Sequence, residues 1–226
     1  MKYIIVVILC MLNSTLVYAK FTLDKFGSYI ESGTDNNEIV ITNTGSSEIL
    51  VFSKEDTKAT KKIIGKSLFY IYPSVIKLEP KESRVVNVIL KDKNIKKEEL
   101  GRLVFKEMVS TKNVSTKSVV NTSYNIAVIG RPFDLIQNAK PWEKLLVRID
   151  NNKLVINNPS NYIVKMMSGI SLLNKDEVLE IIKTDRNYIL PNQIVSIPIK
   201  GKRATRIKIQ PVSVSSNILS PVFIDL

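Results

Sequence analysis

The sequence predicts an all-β protein with two domains. Short runs rich in Val, Ile, Tyr, Phe and Thr are separated by clusters of Asn, Gly, Ser, Asp and Lys, which is the pattern of strands joined by turns. The chain has 226 residues, enough for two domains of roughly 100 residues each.

The first 19 residues have the pattern of a cleavable secretory signal. Lys2 precedes an apolar run, and the segment ends on the motif Val17-Tyr18-Ala19. The run is too short to span a bilayer, although a short membrane anchor is the alternative interpretation. Cleavage after Ala19 would remove Cys10, the single cysteine, so the exported chain is expected to fold without disulfides.

Residues 20–134 are predicted to form the first domain. Seven candidate strands within about 110 residues are the number expected of an immunoglobulin-like sandwich. The charge spacing in Asp92–Leu100 predicts one helical turn. The predicted strands are Phe21–Tyr29, Glu38–Asn43, Glu48–Ser53, Ser67–Tyr72, Arg84–Leu90, Arg102–Val109 and Val119–Gly130.

The strand 119–130 is unusually long for a small domain. Mostly apolar side chains recur at every second residue, so they share one face of the strand. If the rest of the domain leaves one face of this strand uncovered, the strand can be lent to another protein. The alternative is that the same side chains fill this domain's own core, while the other face stays in solvent. The face that would be lent carries, at a spacing of two, Val120, Thr122, Tyr124, Ile126 and Val128.

Residues 139–226 are predicted to form the second domain. Asp150-Asn151-Asn152 is a hairpin turn between its first two strands. Asp176–Ile182 could form a short helix, but an edge strand and loop is the favoured interpretation. The other predicted strands are Leu145–Ile149, Lys153–Asn157, Tyr162–Ser168, Val195–Lys200, Arg206–Pro211 and Pro221–Asp225.

The composition argues against catalysis. The chain contains no histidine, and its 8 glycines form no phosphate-binding loop. Carboxylate pairs such as Glu98-Glu99 lie in charged, loop-like stretches, where solvated side chains are the expected interpretation. We therefore predict that the protein is not an enzyme.

The charge balance is strongly basic. There are 33 Lys and Arg residues against 21 Asp and Glu, which gives a formal net charge of +12. Inside a cell this would suggest nucleic acid as the partner. For an exported chain, an apolar or acidic protein partner or an anionic surface is favoured instead, and a solvated lysine-rich face is the simplest alternative.

Several motifs, in order, resemble the periplasmic pilus chaperones of the chaperone–usher pathway, the PapD-like family. Each motif is weak alone, and together, behind a signal peptide, they are fairly specific. The matching segments are Phe69–Pro80 with its Pro-containing strand and Leu-x-Pro turn, Ser83–Leu90, Phe105–Met108, Tyr124–Pro132 ending in Arg-Pro, Leu154–Tyr162 with its Asn-Pro-x-x-Tyr element, and Ile189–Ser196 with its Pro turn.

The resemblance implies two immunoglobulin-like domains in a boomerang arrangement, a periplasmic location, no enzymatic activity, no metal and no cofactor. The implied partners are pilus or fimbrial subunits that lack their last strand, together with an outer-membrane usher. No nucleic acid is implied, nor membrane insertion after signal cleavage. The chaperone's strand 119–130 would fill the subunit's open groove with the alternating row of Val120 to Val128, which is donor-strand complementation.

Two positions depart from the family pattern. Family members commonly grip the client's terminal carboxylate with a basic residue on the first strand and another near the end of the donor strand. The matching positions hold Gly27 and Ala127. Lys25 is two residues from Gly27 on the same face and is the candidate substitute by proximity, with Lys106 or Arg131 as a second charge. An ordinary surface lysine is the alternative interpretation of Lys25.

The resemblance also makes predictions about the domain interface and one peptide bond. Glu107 and Arg131 match the family pair that helps fix the angle between the domains. A third acidic partner is not evident in the second domain. Tyr72-Pro73 is expected to be a cis bond, as in relatives.

The function predicted from the sequence is that of a periplasmic chaperone, which binds pilus subunits, prevents their aggregation and delivers them to an outer-membrane usher. An exported two-domain structural or adhesion component of a surface assembly is the first alternative. A basic module that binds anionic surfaces is the second. The loop 110–118 is polar, and we expect it to be mobile when no client is bound.

Overall fold

The computed structural model describes residues 20–34, 37–108, 121–200 and 204–226. The predicted signal, residues 1–19, and the loop 110–118 lie outside these ranges. The elements of the first domain are β1 (Phe21–Leu23), β2 (Tyr29–Glu31), β3 (Glu38–Asn43), β4 (Ile49–Glu55), α1 (Thr57–Ile64), β5 (Phe69–Tyr72), β6 (Val75–Leu78), β7 (Ser83–Leu90), β8 (Glu99–Met108) and β9 (Ser123–Arg131).

These strands form two sheets packed face to face. One has the order β1-β3-β7-β5 and the other β2-β9-β8-β4-β6. Alternate residues of each strand point between the sheets. Phe21, Ile39 and Ile41 from the first sheet and Val51 and Phe105 from the second are fully buried in one core. The immunoglobulin-like sandwich predicted for this part of the chain is confirmed.

The predicted first strand, Phe21–Tyr29, is two short strands that belong to different sheets. β1 pairs with β3, whereas β2 pairs in parallel with the end of β9. Gly27 lies in the connection between them. A Cβ atom at Gly27 would come within 2.2 Å of the carbonyl oxygen of Val214, so the close approach of the second domain requires a glycine here.

The helical prediction for Asp92–Leu100 is wrong, and the helix of this domain is α1. Asp92 to Glu98 connect β7 to β8, which begins at Glu99. α1 begins after Asp56, whose carboxylate accepts a hydrogen bond from the Ala59 N–H (3.0 Å). It ends at Gly65, which has a left-handed conformation (φ 79°).

The second domain is a second sandwich. Its sheets have the orders β10-β11-β16 and β14-β13-β17-β18, with β12 paired to β15. A short 3₁₀ helix, Pro141–Lys144, precedes them. The strands are β10 (Leu146–Asp150), β11 (Lys153–Asn158), β12 (Val164–Lys165), β13 (Ile170–Asn174), β14 (Glu177–Ile182), β15 (Tyr188–Ile189), β16 (Gln193–Pro198), β17 (Arg206–Ile209) and β18 (Val222–Asp225).

Several predictions for this domain are confirmed. Asn151 and Asn152 have positive φ values of 46° and 62° in the β10–β11 hairpin, as a two-residue turn requires. The segment Asp176–Ile182 contains the edge strand β14, which begins at Glu177, and no helix. β13 was not predicted, although it pairs with both β14 and β17 in the middle of its sheet.

Buried residues form separate cores in the two sandwiches, and a third cluster lies between them. Leu100 and Ile129 of the first domain pack against Ile163 of the second. The exact boundaries at residues 134 and 139 stay a prediction. The Tyr72–Pro73 bond is cis, as expected. Across the described ranges, no helix is long and apolar enough to cross a membrane.

Candidate functional site

β9 has one free side along most of its length. Its first neighbour, β8, pairs with it from Lys106–Ser123 to Glu99–Gly130. On its second side, β2 reaches only Ile129–Arg131. Within the described residues, no strand covers the second side of residues 123–128, so this part of the sheet is an open edge.

The backbone bonds at each end of β9 show which groups face that open edge. The Thr122 carbonyl accepts from the Glu107 N–H on β8 (3.0 Å), whereas the Ile129 N–H donates to the Ser28 carbonyl on the opposite side (3.0 Å). Because successive residues of a strand direct their backbone groups to opposite sides, the backbone groups of Ser123, Asn125 and Ala127 face the open edge. These three residues could pair with an added strand.

The side chains of β9 contradict part of the sequence prediction. Ile126 is 5% exposed and Val128 is fully buried, and both lie in the core of the first domain. They are not available to a partner, because inserting them elsewhere would empty their own core. The alternative stated for this row, that it fills its own domain, is correct at these two positions.

The beginning of the row is partly accessible. Tyr124 is half-buried, with its ring edge-on to Phe21 (centroids 5.1 Å apart) and its hydroxyl donating to the Phe21 carbonyl (3.0 Å). The hydroxyl of Thr122 accepts from the Lys20 N–H (3.2 Å). Val120 lies outside the described residues. The opposite face exposes Ser123 and Asn125.

Arg102 of β8 reaches across β9 to its open edge. Its guanidinium donates to the side-chain oxygen of Asn125 (2.7 Å) and to the Asn125 carbonyl (2.8 Å). The amide of Asn125 donates to Asp56 (3.1 Å). The Ala59 N–H, the Asn125 amide and the positive charge of Arg102 together lower the pKa of Asp56. A charged side chain thus covers one outward carbonyl of the edge, a feature that discourages uncontrolled pairing.

A cleft of about 720 Å³ lies along the open edge, between the two domains. Arg102 and residues 123–127 line one wall, and Lys165 and Arg186 contribute cations from the second domain, beside the acid Asp185. The Lys165 ammonium donates to the carbonyls of Ser213 and Val214 (3.0 Å each), and burial lowers its pKa. Sequence reasoning missed these cations because they converge only in three dimensions.

Lys25, the predicted basic substitute, has a different position. Its ammonium donates to the Glu38 carbonyl (2.9 Å) and lies 3.7 Å from the Asp24 carboxylate. It is not among the residues that line the cleft. At the Gly27 position itself, the contact with Val214 leaves no room for a basic side chain.

The predicted Glu107–Arg131 pair does not form. Glu107 is opposite the beginning of β9, where its buried carboxylate accepts from the Lys20 ammonium (2.7 Å). Arg131 is at the far end of β9. A nine-residue separation along a strand amounts to about 30 Å, so the antiparallel pairing of β8 and β9 places the two residues at opposite ends of the domain.

Arg131 does lie at the domain boundary. Its guanidinium stacks on the Tyr29 ring (4.7 Å to the centroid) and donates twice to the Leu135 carbonyl (2.6 and 3.2 Å). These contacts fix the turn that follows β9. Burial, with the nearby charge of Glu98, raises the pKa of Tyr29 to about 12.

Glu98 is the acidic residue that connects the domains. Its backbone N–H donates to the Asn161 carbonyl (2.9 Å), and its carboxylate accepts from the Ile163 N–H (2.7 Å). Burial raises its pKa to about 7, although the Ile163 hydrogen bond and the charge of Arg131 act in the opposite direction. The sequence interpretation of Glu98 as a solvated side chain is therefore wrong, since the residue is 2% exposed.

Comparison with known proteins finds that the first domain is similar to one chaperone family. Residues 26–135 match the family model described as pili and flagellar-assembly chaperone, PapD N-terminal domain. A curated relative, the uncharacterized fimbrial chaperone YhcA of Escherichia coli K12, is 26% identical over 140 residues, or 62% of this chain. The matched part spans 61% of the length of that relative.

Solved structures of pilus chaperones share the fold over nearly the whole chain. The structure described as Salmonella enterica SafA pilin in complex with the SafB chaperone contains a chain that matches with a TM-score of 0.70 and 15% identity. The match covers 94% of this chain and 99% of the chain in that structure. The E. coli chaperone DraB matches with a TM-score of 0.69 and 15% identity, covering 91% and 98%. At this identity the match concerns the fold.

Proposed function

Because residues 26–135 match the family model of PapD-type pilus-assembly chaperones, we propose that the protein binds pilus or fimbrial subunits through the open edge of β9. The single observation that carries this proposal is the free side of residues 123–128. Fimbrial chaperones of this family are periplasmic and non-enzymatic. We extend the periplasmic location, and delivery of the subunit to an outer-membrane usher, to this chain.

Backbone pairing is the proposed basis of recognition. A subunit that lacks a strand exposes unpaired backbone groups and apolar surface, which favour aggregation. The outward groups of Ser123, Asn125 and Ala127 supply the missing ladder, whatever the subunit's side chains. The Arg102 guanidinium leaves the Asn125 carbonyl when the subunit strand pairs there.

The donated side chains come from the beginning of the row rather than its end. Ile126 and Val128 stay in their own core, whereas Thr122 and Tyr124 are partly accessible. We keep Val120 in the inserted row as predicted from the sequence. The increase in burial from Thr122 to Val128 supports this division. Removing a large buried side chain from its own core would cost about 1.5–3 kcal/mol.

The cleft is the proposed place for the subunit's terminal carboxylate. Arg102 and Lys165 line it from the two domains, next to the open edge. Lys25 does not line the cleft. This assignment replaces Lys25 with two cations that the fold brings together.

The test is capture of a subunit by the exported chain. The protein is expressed in a periplasm beside the pilus-like subunits encoded next to it, and complexes are separated by size. Ser123→Pro removes an outward N–H at the first residue of β9, a position where proline is compatible with an edge strand. We expect the variant to fold and to lose the complex, while Ser123→Ala keeps it. Equal capture by both variants would contradict edge pairing.

A further inference from the structure

Six lysines lie at one end of the first domain and take part in no ion pair among the described residues. α1 carries Lys58, Lys61 and Lys62, and the segment between β7 and β8 carries Lys93, Lys96 and Lys97. Five of them are exposed, and Lys97 is half-buried. We call this set the lysine face.

The fold holds the two segments together. α1 leads from β4 to β5 and residues 91–98 lead from β7 to β8, so both cross the same end of the sandwich. Lys66, just after α1, connects them through Asp92 (3.6 Å) and Glu99 (2.9 Å). Ile64 and Ile95 pack in the same core.

Spacing along α1 directs its lysines outward. Lys58, Lys61 and Lys62 are separated by three and four residues, so they share one side of the helix. The other side holds the buried Thr60 and the partly buried Ile63. Loop residues Lys93 and Lys96 are exposed on either side of the buried Ile95.

The acids of these segments do not neutralise the lysine face. Glu55 and Glu98 are buried and accept backbone N–H groups. Asp56 caps α1, and both Asp92 and Glu99 pair with Lys66. The positive charge therefore points to solvent without a local counter-charge.

The dipole of α1 explains only part of this arrangement, because Lys61 and Lys62 lie in the last turn, where cations are favourable. Lys58 lies in the first turn, which contains no acid, and a cation there is unfavourable at the positive end of the helix dipole. Like charges three or four residues apart also destabilise a helix. The lysine face therefore calls for an explanation beyond the stability of α1.

The chemistry of the lysine face favours a bilayer over a protein as its partner. Protein interfaces are enriched in aromatic residues and Arg and depleted in Lys. The lysine face is made of Lys alone, and the described residues of α1 and 91–98 include no exposed large apolar side chain. Flexible ammonium groups suit a diffuse layer of anionic headgroups, which attracts clusters of this size.

We propose that the lysine face binds the surface of a membrane rich in anionic phospholipid. The contact is electrostatic and does not insert the chain into the bilayer. It uses neither the open edge of β9 nor the cleft, so a chaperone can be held at the membrane with its subunit site free. The proposal does not depend on the function proposed above.

The test is co-sedimentation of the exported chain with vesicles at low salt. Vesicles of phosphatidylglycerol mixed with phosphatidylcholine are compared with vesicles of phosphatidylcholine alone. One variant carries Lys58→Gln, Lys61→Gln and Lys62→Gln, and a second carries Lys93→Gln, Lys96→Gln and Lys97→Gln. The control removes three exposed lysines of the second domain, with Lys144→Gln, Lys153→Gln and Lys183→Gln.

We expect binding to the anionic vesicles alone. Each lysine near such a surface contributes a factor of about five to the affinity, so either triple variant should lose about a hundredfold. The control should bind as the original chain does. Binding should also fall steeply with added salt, because the screening length shortens from about 10 Å at 0.1 M to about 3 Å at 1 M.

Three results would overturn the proposal. One is no binding of the original chain to anionic vesicles. Another is an equal loss in the control variant, which would show that net charge alone matters. The third is binding to soluble polyglutamate without binding to vesicles, which would indicate an acidic protein as the partner.

Discussion

Glu98 shows how burial changes the role of a single residue. Its sequence neighbours are charged, which suggested a solvated side chain. Its hydrogen-bond partner, the Ile163 N–H, is 65 residues away in the chain, so no local pattern could reveal it. A carboxyl group with a pKa of about 7 at a domain interface makes the stability of the protein depend on pH.

The direction of that dependence follows from proton binding. The pKa of Glu98 is about 7 in the folded protein and ordinarily 4.5, so the folded state holds its proton more tightly. The stabilisation is complete below about pH 4.5 and is lost as the pH rises through about 7, with a change of the order of 3 kcal/mol.

Chemical denaturation measured across this range checks the prediction for Glu98. Glu98→Gln keeps an oxygen for the Ile163 N–H and should flatten this part of the profile, whereas Glu177→Gln, on an exposed position of β14, should not. An unchanged slope in Glu98→Gln would contradict the assignment.

Ile126 tests the corrected orientation of β9. Ile126→Asp would place a charge in the core of the first domain, at a cost of roughly 3–5 kcal/mol. We expect this variant to be unfolded, or to have a melting temperature far below that of the unsubstituted protein, when measured by circular dichroism. Ser123→Asp adds the same charge on the exposed face and should stay folded. A folded Ile126→Asp variant that fails to capture subunits would restore the original sequence prediction.

The alternation of residues 122–128 was therefore not enough to predict which face of β9 is buried. A spacing of two identifies which side chains share a face, and it did so correctly. It does not identify which face the other sheet covers, because that depends on contacts such as Tyr124 with Phe21, 103 residues apart. The row taken from the family resemblance ran from Val120 to Val128, and its last two members, Ile126 and Val128, lie in the domain's own core.

At the scale of elements, most strands were predictable because their apolar residues alternate between turn residues. α1 was not, since its segment has few apolar residues and depends on Asp56 and Gly65 to define its ends. β13 was missed although it is central in its sheet, because its run Ile170–Asn174 has apolar residues side by side rather than in alternation. The register between β13 and β14 shifts between Leu172 and Leu173, and a β-bulge of this kind breaks the two-residue pattern.

Arg102 connects the elements around the open edge. It lies on β8, bonds to Asn125 on β9 and is close to Asp56 before α1. If its guanidinium also binds the subunit's carboxylate, Arg102→Gln should weaken subunit affinity by about tenfold or more, the value of one charge-assisted hydrogen bond.

Titration of the Arg102→Gln chaperone with purified subunit would measure this loss. Arg148→Gln, on the exposed strand β10, removes the same charge from the other domain and should bind normally. If Arg102→Gln leaves the affinity for the subunit unchanged, Arg102 does not bind the subunit.

For the whole molecule, the two-domain architecture was predictable and the interface was not. The sequence marks Gly27 as a departure from the family, and the structure gives the reason, which is the approach of Val214. The cluster of Leu100, Ile129 and Ile163 then packs beside it. The interface therefore depends on residues from several segments, each uninformative alone.

Gly27→Ala tests this dependence. A Cβ atom at 2.2 Å from the Val214 oxygen requires the domains to shift, and overpacking of this kind costs about 1–3 kcal/mol. We expect a lower melting temperature and faster amide exchange at Ile163. Ser28→Ala, the adjacent change, should leave both nearly unaltered. Unchanged exchange at Ile163 in Gly27→Ala would show that the contact does not fix the interface.

The proposed function depends on pairing of a subunit strand with the open edge of β9. Amide exchange, measured by NMR on the protein alone and with a bound subunit, tests it residue by residue. The N–H groups of Tyr124 and Ile126 face β8 and should be protected in both states. Those of Ser123, Asn125 and Ala127 should become protected only in the complex. If these three exchange equally fast with the subunit bound, the subunit does not pair with this edge.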